Sequence, residues 1–135
     1  MVESKKEINF WNKNHLHKQR EEYNIHILIM STYEEYYEAQ RELEEKYGSR
    51  SIVLMQVGSF YEVYGVDMSN IKIGHAENIS KILSMQVAYK NGREKPHSEK
   101  NPQMVGFPDH ALGNNLEKLL RANYTVSIYD QFDTG

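Results

Sequence analysis

Residues 51–65, SIVLMQVGSFYEVYG, constrain the fold more than any other stretch of this chain. SIVLMQVG is an apolar, β-branched run bounded by glycine, which predicts a buried strand. The glycine-serine pair that follows supplies turn chemistry, and FYEVY continues as a second extended segment. Because side chains in a strand alternate between its faces, Phe60, Glu62 and Tyr64 share one side. The stretch therefore predicts a hairpin that presents an aromatic ring beside a carboxylate.

An amphipathic helix precedes this hairpin in the sequence STYEEYYEAQRELEEKYG. Thr32 and Glu35 have the spacing of a capping box, and Gly48 is a typical stop signal. The aromatic stripe of the helix either faces the core or forms a binding surface, and the core-facing arrangement is the commoner one. The stripe consists of Tyr33, Tyr36, Tyr37, Leu43 and Tyr47.

The second half of the chain predicts irregularly alternating helices and strands. We predict a helix over 78–84, a strand within MQVAYKNG, a polar loop KNGREKPHSEKNP, a short strand ending at Pro108, and a last strand YTVSIYDQ. A helix is expected from about Asp109, with its buried side formed by Ala111, Leu112, Asn115, Leu116, Leu119 and Leu120. This order predicts an α/β (α+β) fold, a mixed sheet flanked by helices.

Length and composition limit the function classes. A chain of 135 residues supports one core, and the absence of cysteine excludes disulfides, thiol catalysis and cysteine-ligated zinc. The net charge of −3 excludes the basic footprint of a free-standing non-specific nucleic-acid binder. No apolar run approaches the about 18 residues of a membrane span, and the polar N-terminus resembles no signal peptide. We therefore expect an intracellular protein without a membrane partner.

Residues 1–30 show no steady helical or strand periodicity, so we interpret them as an N-terminal appendage to a domain spanning 31–135. His15 and His17 lack the carboxylate or cysteine pattern of a metal site, and we expect them on a solvated surface. Phosphate-binding glycine loops and nucleophile elbows are absent from the sequence. Glu62 and Asp67 alone do not make a nuclease site. We expect no catalytic residues, no metal and no cofactor in this chain.

Two blocks carry a family resemblance. QVGSFYEVYG resembles the G-x-F-Y-E segment of the N-terminal mismatch-recognition domain (domain I) of MutS proteins. MVGFPDHALGNNLEKLLRANYTVSIYDQ is similar to that domain's M-x-G-[VIF]-P-x-H-A helix and its V-[AS]-[IV]-x-[DE]-Q strand. The blocks stand in the family's order and cover about residues 33–133. The segment VLMQVGSFYEVYG is most similar to the MutS branch known from giant viruses and octocoral mitochondria.

The resemblance implies a DNA mismatch recognition module in which Phe60 wedges into the duplex at a mispaired base. Glu62 would then form a hydrogen bond with the displaced base, as acceptor or, when protonated, as donor. Alternatively, neither residue contacts DNA: Phe60 is an ordinary core residue, and Glu62 is a charge tolerated at the edge of the sheet. A competing function is a protein-interaction domain that keeps the fold without DNA contact and works through its tyrosine-rich helix.

The resemblance also implies partners. These are double-stranded DNA with a mismatch, the remaining MutS domains, and a second MutS subunit. ATP and Mg²⁺ would belong to the ATPase domain of the parent protein, beyond the similar region. Three features depart from the family pattern: Ser59 replaces a common acid, the passage VDMSNIKIG is long, and residues 1–30 have no counterpart.

A basic loop adds a second possible DNA contact. Residues 81–100 contain five basic and two acidic residues in an otherwise acidic chain. Such a loop can contact phosphates and set register without reading sequence. The possible phosphate contacts are Lys90, Arg93, Lys95 and Lys100; a solvated turn is the alternative.

Overall fold

The computed structural model describes residues 4–12, 15–23 and 32–133, and side chains within 33–130. Eight strands are present there: β1 (Ser4–Asn12), β2 (His15–Tyr23), β3 (Ser51–Val57), β4 (Phe60–Met68), β5 (Ile71–Gly74), β6 (Ala88–Tyr89), β7 (Gln103–Pro108) and β8 (Thr125–Asp133). Three α-helices accompany them: α1 (Thr32–Tyr47), α2 (Ala76–Leu83) and α3 (Leu112–Arg121). A 3-10 turn, Asp109–Ala111, leads into α3.

The strands form one mixed sheet in the order β2-β1-β8-β3-β4-β7-β6, with β5 paired to β4. β3 and β8 run parallel, whereas the other pairs of neighbouring strands run antiparallel. α1 packs against β3, β4 and β5, while α2 and α3 pack against each other and against the sheet. The predicted α+β class, a mixed sheet flanked by helices, is confirmed.

The predicted hairpin is present at β3 and β4. Val57 pairs with Phe60 across a two-residue turn, in which Gly58 adopts a left-handed φ of 61°. Glycine reaches this conformation without the steric penalty of a Cβ, which accounts for the residue at the tip. β3 is buried along its first five residues, as the apolar run indicates.

The later elements differ from prediction mainly at their ends. The strand expected in MQVAYKNG shrinks to Ala88–Tyr89, and α2 begins at Ala76. Pro108 is extended, at φ −62° and ψ 149°, so the regular α-helix begins only after the 3-10 turn. Of the predicted buried side of α3, Asn115 and Leu119 are fully buried. The partly buried remainder packs against the core: Ala111, Leu112, Leu116 and Leu120.

The aromatic stripe of α1 faces the core. Tyr36, Tyr37 and Leu43 are buried and Tyr33 is half-buried. The prediction is wrong for Tyr47, which is 39% exposed at the last helical position. Thr32 is itself the first helical residue rather than a residue before the helix.

Residues 1–30 contain two strands that periodicity did not indicate. β1 and β2 pair with each other, and β1 extends the sheet by pairing with β8 from Ser4↔Asp133 to Trp11↔Val126. Strand addition depends on backbone hydrogen bonds, which every residue except proline can supply, so side-chain patterning need not reveal it. The boundary at residue 31 stays a prediction. The side chains of His15 and His17 lie outside the described ones, so the expectation for them also stays a prediction.

A fork in the sheet separates β3 from β4. The two strands pair only over Met55↔Glu62, Gln56↔Tyr61 and Val57↔Phe60. β4 then continues beyond the end of this pairing, and its last residues, from Gly65 to Met68, pair with β5. β7 pairs with β4 from Phe60 to Gly65, which includes the residues that also pair with β3. The edge of β3 that β4 leaves is completed by side chains from α1. Gln40 accepts from the Val53 N–H at 2.9 Å through Oε1 and donates to the Ser51 carbonyl at 2.8 Å through Nε2.

Tyr36 completes the same edge by donating its hydroxyl to the Val53 carbonyl at 2.9 Å. Tyr36 and Gln40 are both fully buried. A buried backbone group without a hydrogen-bond partner lowers the stability of the fold. These contacts therefore stabilise β3 where it has no neighbouring strand on this edge. Burial raises the pKa of the Tyr36 hydroxyl well above its usual value, and the hydroxyl therefore stays a donor.

We expect Gln40→Ala to lower the free energy of unfolding by about 2 to 4 kcal/mol, because two buried backbone groups lose their partner. Glu38→Ala, at an exposed position of the same helix, is the matched control and should change stability by less than about 0.5 kcal/mol. Urea unfolding measures both, and amide exchange at Val53 should accelerate in Gln40→Ala alone. Equal stabilities of the two variants would show that the fork does not depend on Gln40.

Candidate nucleic-acid interface

Phe60 is an exposed aromatic residue on a firmly held hairpin. It is the first residue of β4, where it pairs with Val57 of β3 and with Pro108 of β7. Its side chain is 45% exposed, and among the described residues only one other large hydrophobic residue, Tyr47, is exposed. Phe60 is therefore not an ordinary core residue. The Asp109 N–H donates to the Ser59 carbonyl at 2.8 Å and ties the turn to the end of β7.

Glu62 lies two residues further on the same face of β4, and it is a paired charge rather than a loose edge charge. Its side chain is 12% exposed. Oε1 accepts a hydrogen bond from the Lys90 ammonium at 2.8 Å and another from the Tyr64 hydroxyl. The carboxylate is therefore fixed in position from two directions.

Tyr64 is fully buried at the inner end of this face. Burial, reinforced by the hydrogen bond to Glu62, raises the pKa of its hydroxyl far above the usual range. The hydroxyl thus remains a proton donor to Glu62 at any ordinary pH. Tyr64 also meets the Tyr36 ring edge-on, with the ring centroids 5.1 Å apart.

The opposite face of β4 anchors the hairpin to its neighbours. Tyr61 is buried there, and its hydroxyl donates to Asp130 Oδ1 of β8 at 2.5 Å. Burial and then this hydrogen bond raise the pKa of the Tyr61 hydroxyl. The Tyr61 ring lies 6.0 Å from that of Phe107 on β7. Contacts to strands on both sides therefore hold the segment that presents Phe60 and Glu62.

The structure places the four predicted phosphate contacts in two settings. Lys90 pairs with Glu62, and its ammonium lies 5.4 Å from the centre of the Tyr64 ring. Arg93 donates to the Val87 carbonyl at 2.7 Å and stacks over Tyr89. The side chains of Lys95 and Lys100 make no hydrogen bond or ion pair within the part of the chain that the structure describes. The role of all four residues at phosphates stays a prediction.

Asn101 organises the loop that carries these residues, and sequence reasoning missed it. Its buried amide donates to the carbonyls of Gly92 and Lys95 at 3.0 Å each and to that of Pro96 at 3.3 Å. Its Oδ1 accepts from the Asn91 N–H at 2.7 Å. The loop is therefore an ordered turn around one side chain. An asparagine in a polar stretch gives no sequence signal for this role.

The described residues offer neither a metal site nor a membrane-spanning helix. No group of three or more histidine, aspartate or glutamate side chains there has an arrangement that could hold a metal ion. Of the three helices, none is both long enough and apolar enough to cross a bilayer.

Comparison with known proteins identifies one family. The family model described as MutS domain I matches residues 31–135. A DNA mismatch repair protein MutS of Petrotoga mobilis is 36% identical over 91 residues, which are 67% of this chain and 9% of that protein. The Rickettsia africae protein of the same name is 31% identical over 118 residues, 87% of this chain and 11% of the relative.

A third relative, the DNA mismatch repair protein MutS of Parabacteroides distasonis, is 39% identical over 83 residues, 62% of this chain and 8% of its own length. The chain thus spans about a tenth of the length of the curated relatives that it matches. The matched region is domain I, which is not the family's ATPase domain. The chain belongs to the MutS family, and its residues 31–135 are a MutS domain I.

Proposed function

We propose that this chain recognises mispaired DNA, with Phe60 as a wedge that enters the duplex at a weakened base pair. The observation that carries the proposal is the 45% exposure of Phe60 on a hairpin that both neighbouring strands hold in place. Apolar side chains that enter base steps from the minor groove unstack and kink the duplex. Since a mispaired base is already less well held, insertion there costs less than in a perfect duplex.

Glu62 supplies the polar half of this recognition. An inserted ring alone is attracted to any flexible step, whereas a carboxylate beside it repels phosphates and favours a base that offers an N–H donor. Lys90 limits the repulsion because its ammonium neutralises the carboxylate from one side. We propose that Glu62 acts as an acceptor, since two donors already fix its other oxygen.

Binding by these residues alone is expected to be weak. One stacked aromatic ring and one hydrogen bond contribute a few kcal/mol, and kinking the duplex consumes part of this, so we expect about micromolar or weaker affinity. We propose that the rest of the affinity comes from the other MutS domains and a second MutS subunit, and that ATP and Mg²⁺ act in those domains.

The competing function, a protein-interaction domain that works through the tyrosine-rich helix, gains no support from the packing. Tyr36 and Tyr37 lie in the core, where they bond to the carbonyls of Val53 and Glu99. A partner protein could touch Tyr33 and Tyr47, but the other three members of the stripe are buried.

We expect Phe60→Ala to weaken binding to a mismatched duplex by about 1 to 3 kcal/mol, the contribution of one stacked aromatic ring, and to change binding to a perfect duplex little. The fold of the variant should persist because Phe60 is 45% exposed and lies outside the buried core. Fluorescence anisotropy with two duplexes that differ by one base gives the affinity ratio.

Tyr47→Ala is the matched control, because it removes the other exposed large hydrophobic side chain of the described residues, at the opposite end of β3. It should leave the ratio unchanged. An unchanged ratio in folded Phe60→Ala would remove the wedge from the mechanism.

The basic loop makes a separate prediction about salt. If Lys95 and Lys100 contact phosphates, replacing both by Gln should reduce the steepness of log Kd against log salt by about 2, since each contact contributes about 0.9. Lys46→Gln with Lys118→Gln is the control, because it removes the same charge from exposed positions on α1 and α3. Equal slopes for the two double variants would mean that net charge, not local contact, sets the salt dependence.

A further inference from the structure

Gly106 is the cross-strand neighbour of Glu62. β4 and β7 pair Glu62 with Gly106, and directly opposed residues of an antiparallel pair point to the same face. On the other flank, Glu62 pairs with Met55 of β3, which is fully buried. The carboxylate is thus covered on the β3 side, whereas on the β7 side its neighbour is an exposed residue without a side chain.

The two oxygens of Glu62 are not equivalent. Lys90 and Tyr64 both bond to Oε1, and Oε2 makes no hydrogen bond within the described residues. Oε2 is not a buried atom without a partner, and solvent therefore reaches it. A Cβ built on Gly106 would lie 3.6 Å from Glu62 Cγ and 4.0 Å from Oε2. The space above Gly106 is therefore the approach to the free oxygen.

Backbone conformation does not require this glycine. Gly106 is not among the glycines with positive φ, and the built Cβ makes only ordinary van der Waals contacts. A glycine within a strand forfeits side-chain packing and often marks a close approach of another molecule. The glycine leaves open the space beside Glu62 Oε2 that a side chain would occupy.

We propose that Gly106 determines specificity by keeping open a subsite in which the N–H edge of a displaced base donates to Glu62 Oε2. Lys90 and Tyr64 are positioning residues that hold Oε1 and so turn Oε2 toward Gly106. An ionised carboxylate only accepts hydrogen bonds, so the subsite takes ring N–H or exocyclic amino groups. The inference rests on the proposed function and adds to it the atom that contacts the base and the residue that admits it.

The test is a double-mutant cycle on the 135-residue chain, with the ratio of affinities for mismatched and perfect duplexes as the readout. We expect Gly106→Val to lower the ratio as far as Glu62→Ala does, by about tenfold or more for one hydrogen bond to a charged group. The double variant should fall no further than Glu62→Ala alone, because both changes remove one contact. Gly106→Ala should give an intermediate ratio.

Valine suits a strand, and far-UV circular dichroism with thermal unfolding verifies the fold of each variant. Gly113→Val is the control, because Gly113 lies exposed on α3 with no atom within 4 Å of its built Cβ. A wild-type ratio in folded Gly106→Val, or additive losses in the double variant, would overturn the inference. If Phe60→Ala lowers the ratio while Gly106→Val does not, only the inference fails. If neither variant lowers it, the proposed function fails as well.

Discussion

The fold depends on the way α1 completes the edge of β3 after β4 has turned away. Three residue pairs join β3 to β4, and beyond them Gln40 and Tyr36 occupy the positions that a neighbouring strand would otherwise fill. Without this replacement, β4 would have to stay beside β3 or leave buried backbone groups unpaired. The fork lets the last residues of β4, from Gly65 to Met68, pair with β5, while β7 stays paired with β4 from Phe60 to Gly65.

The same helix connects the fork to the candidate interface. Tyr36 bonds to Val53 and meets the ring of Tyr64, and Tyr64 in turn donates to Glu62. Exposure increases outward along this face of β4, from buried Tyr64 through Glu62 to Phe60. The outer end thus offers an apolar ring, the middle an oriented carboxylate, and the inner end a rigid support. In an acidic chain, Lys90 keeps that carboxylate from being an unpaired charge at the surface proposed to meet DNA.

Local chemistry made part of this structure predictable. The hairpin follows from an apolar run and a glycine turn, and the common face of Phe60, Glu62 and Tyr64 follows from strand alternation. The sequence did not predict which residues contact Glu62 and the edge of β3. Lys90 is 28 residues from Glu62, and Gln40 reaches β3 from a helix, so only the tertiary fold shows that these residues meet. The same holds for β1 and β2, whose pairing to β8 rests on backbone bonds rather than on a side-chain pattern.

Stacking of Phe60 on a mispaired base can be measured directly by nuclear magnetic resonance of ring-labelled phenylalanine, which also works when binding is weak. If Phe60 is the wedge, a mismatched duplex should shift the Phe60 ring signals upfield, as stacking between bases requires, while a perfect duplex should shift them much less. Phe107 is buried in the core and serves as the internal reference, so its ring signals should not shift with either duplex. Phe60 signals that do not shift, or that shift equally with both duplexes, would show that the Phe60 ring does not stack on the mispaired base.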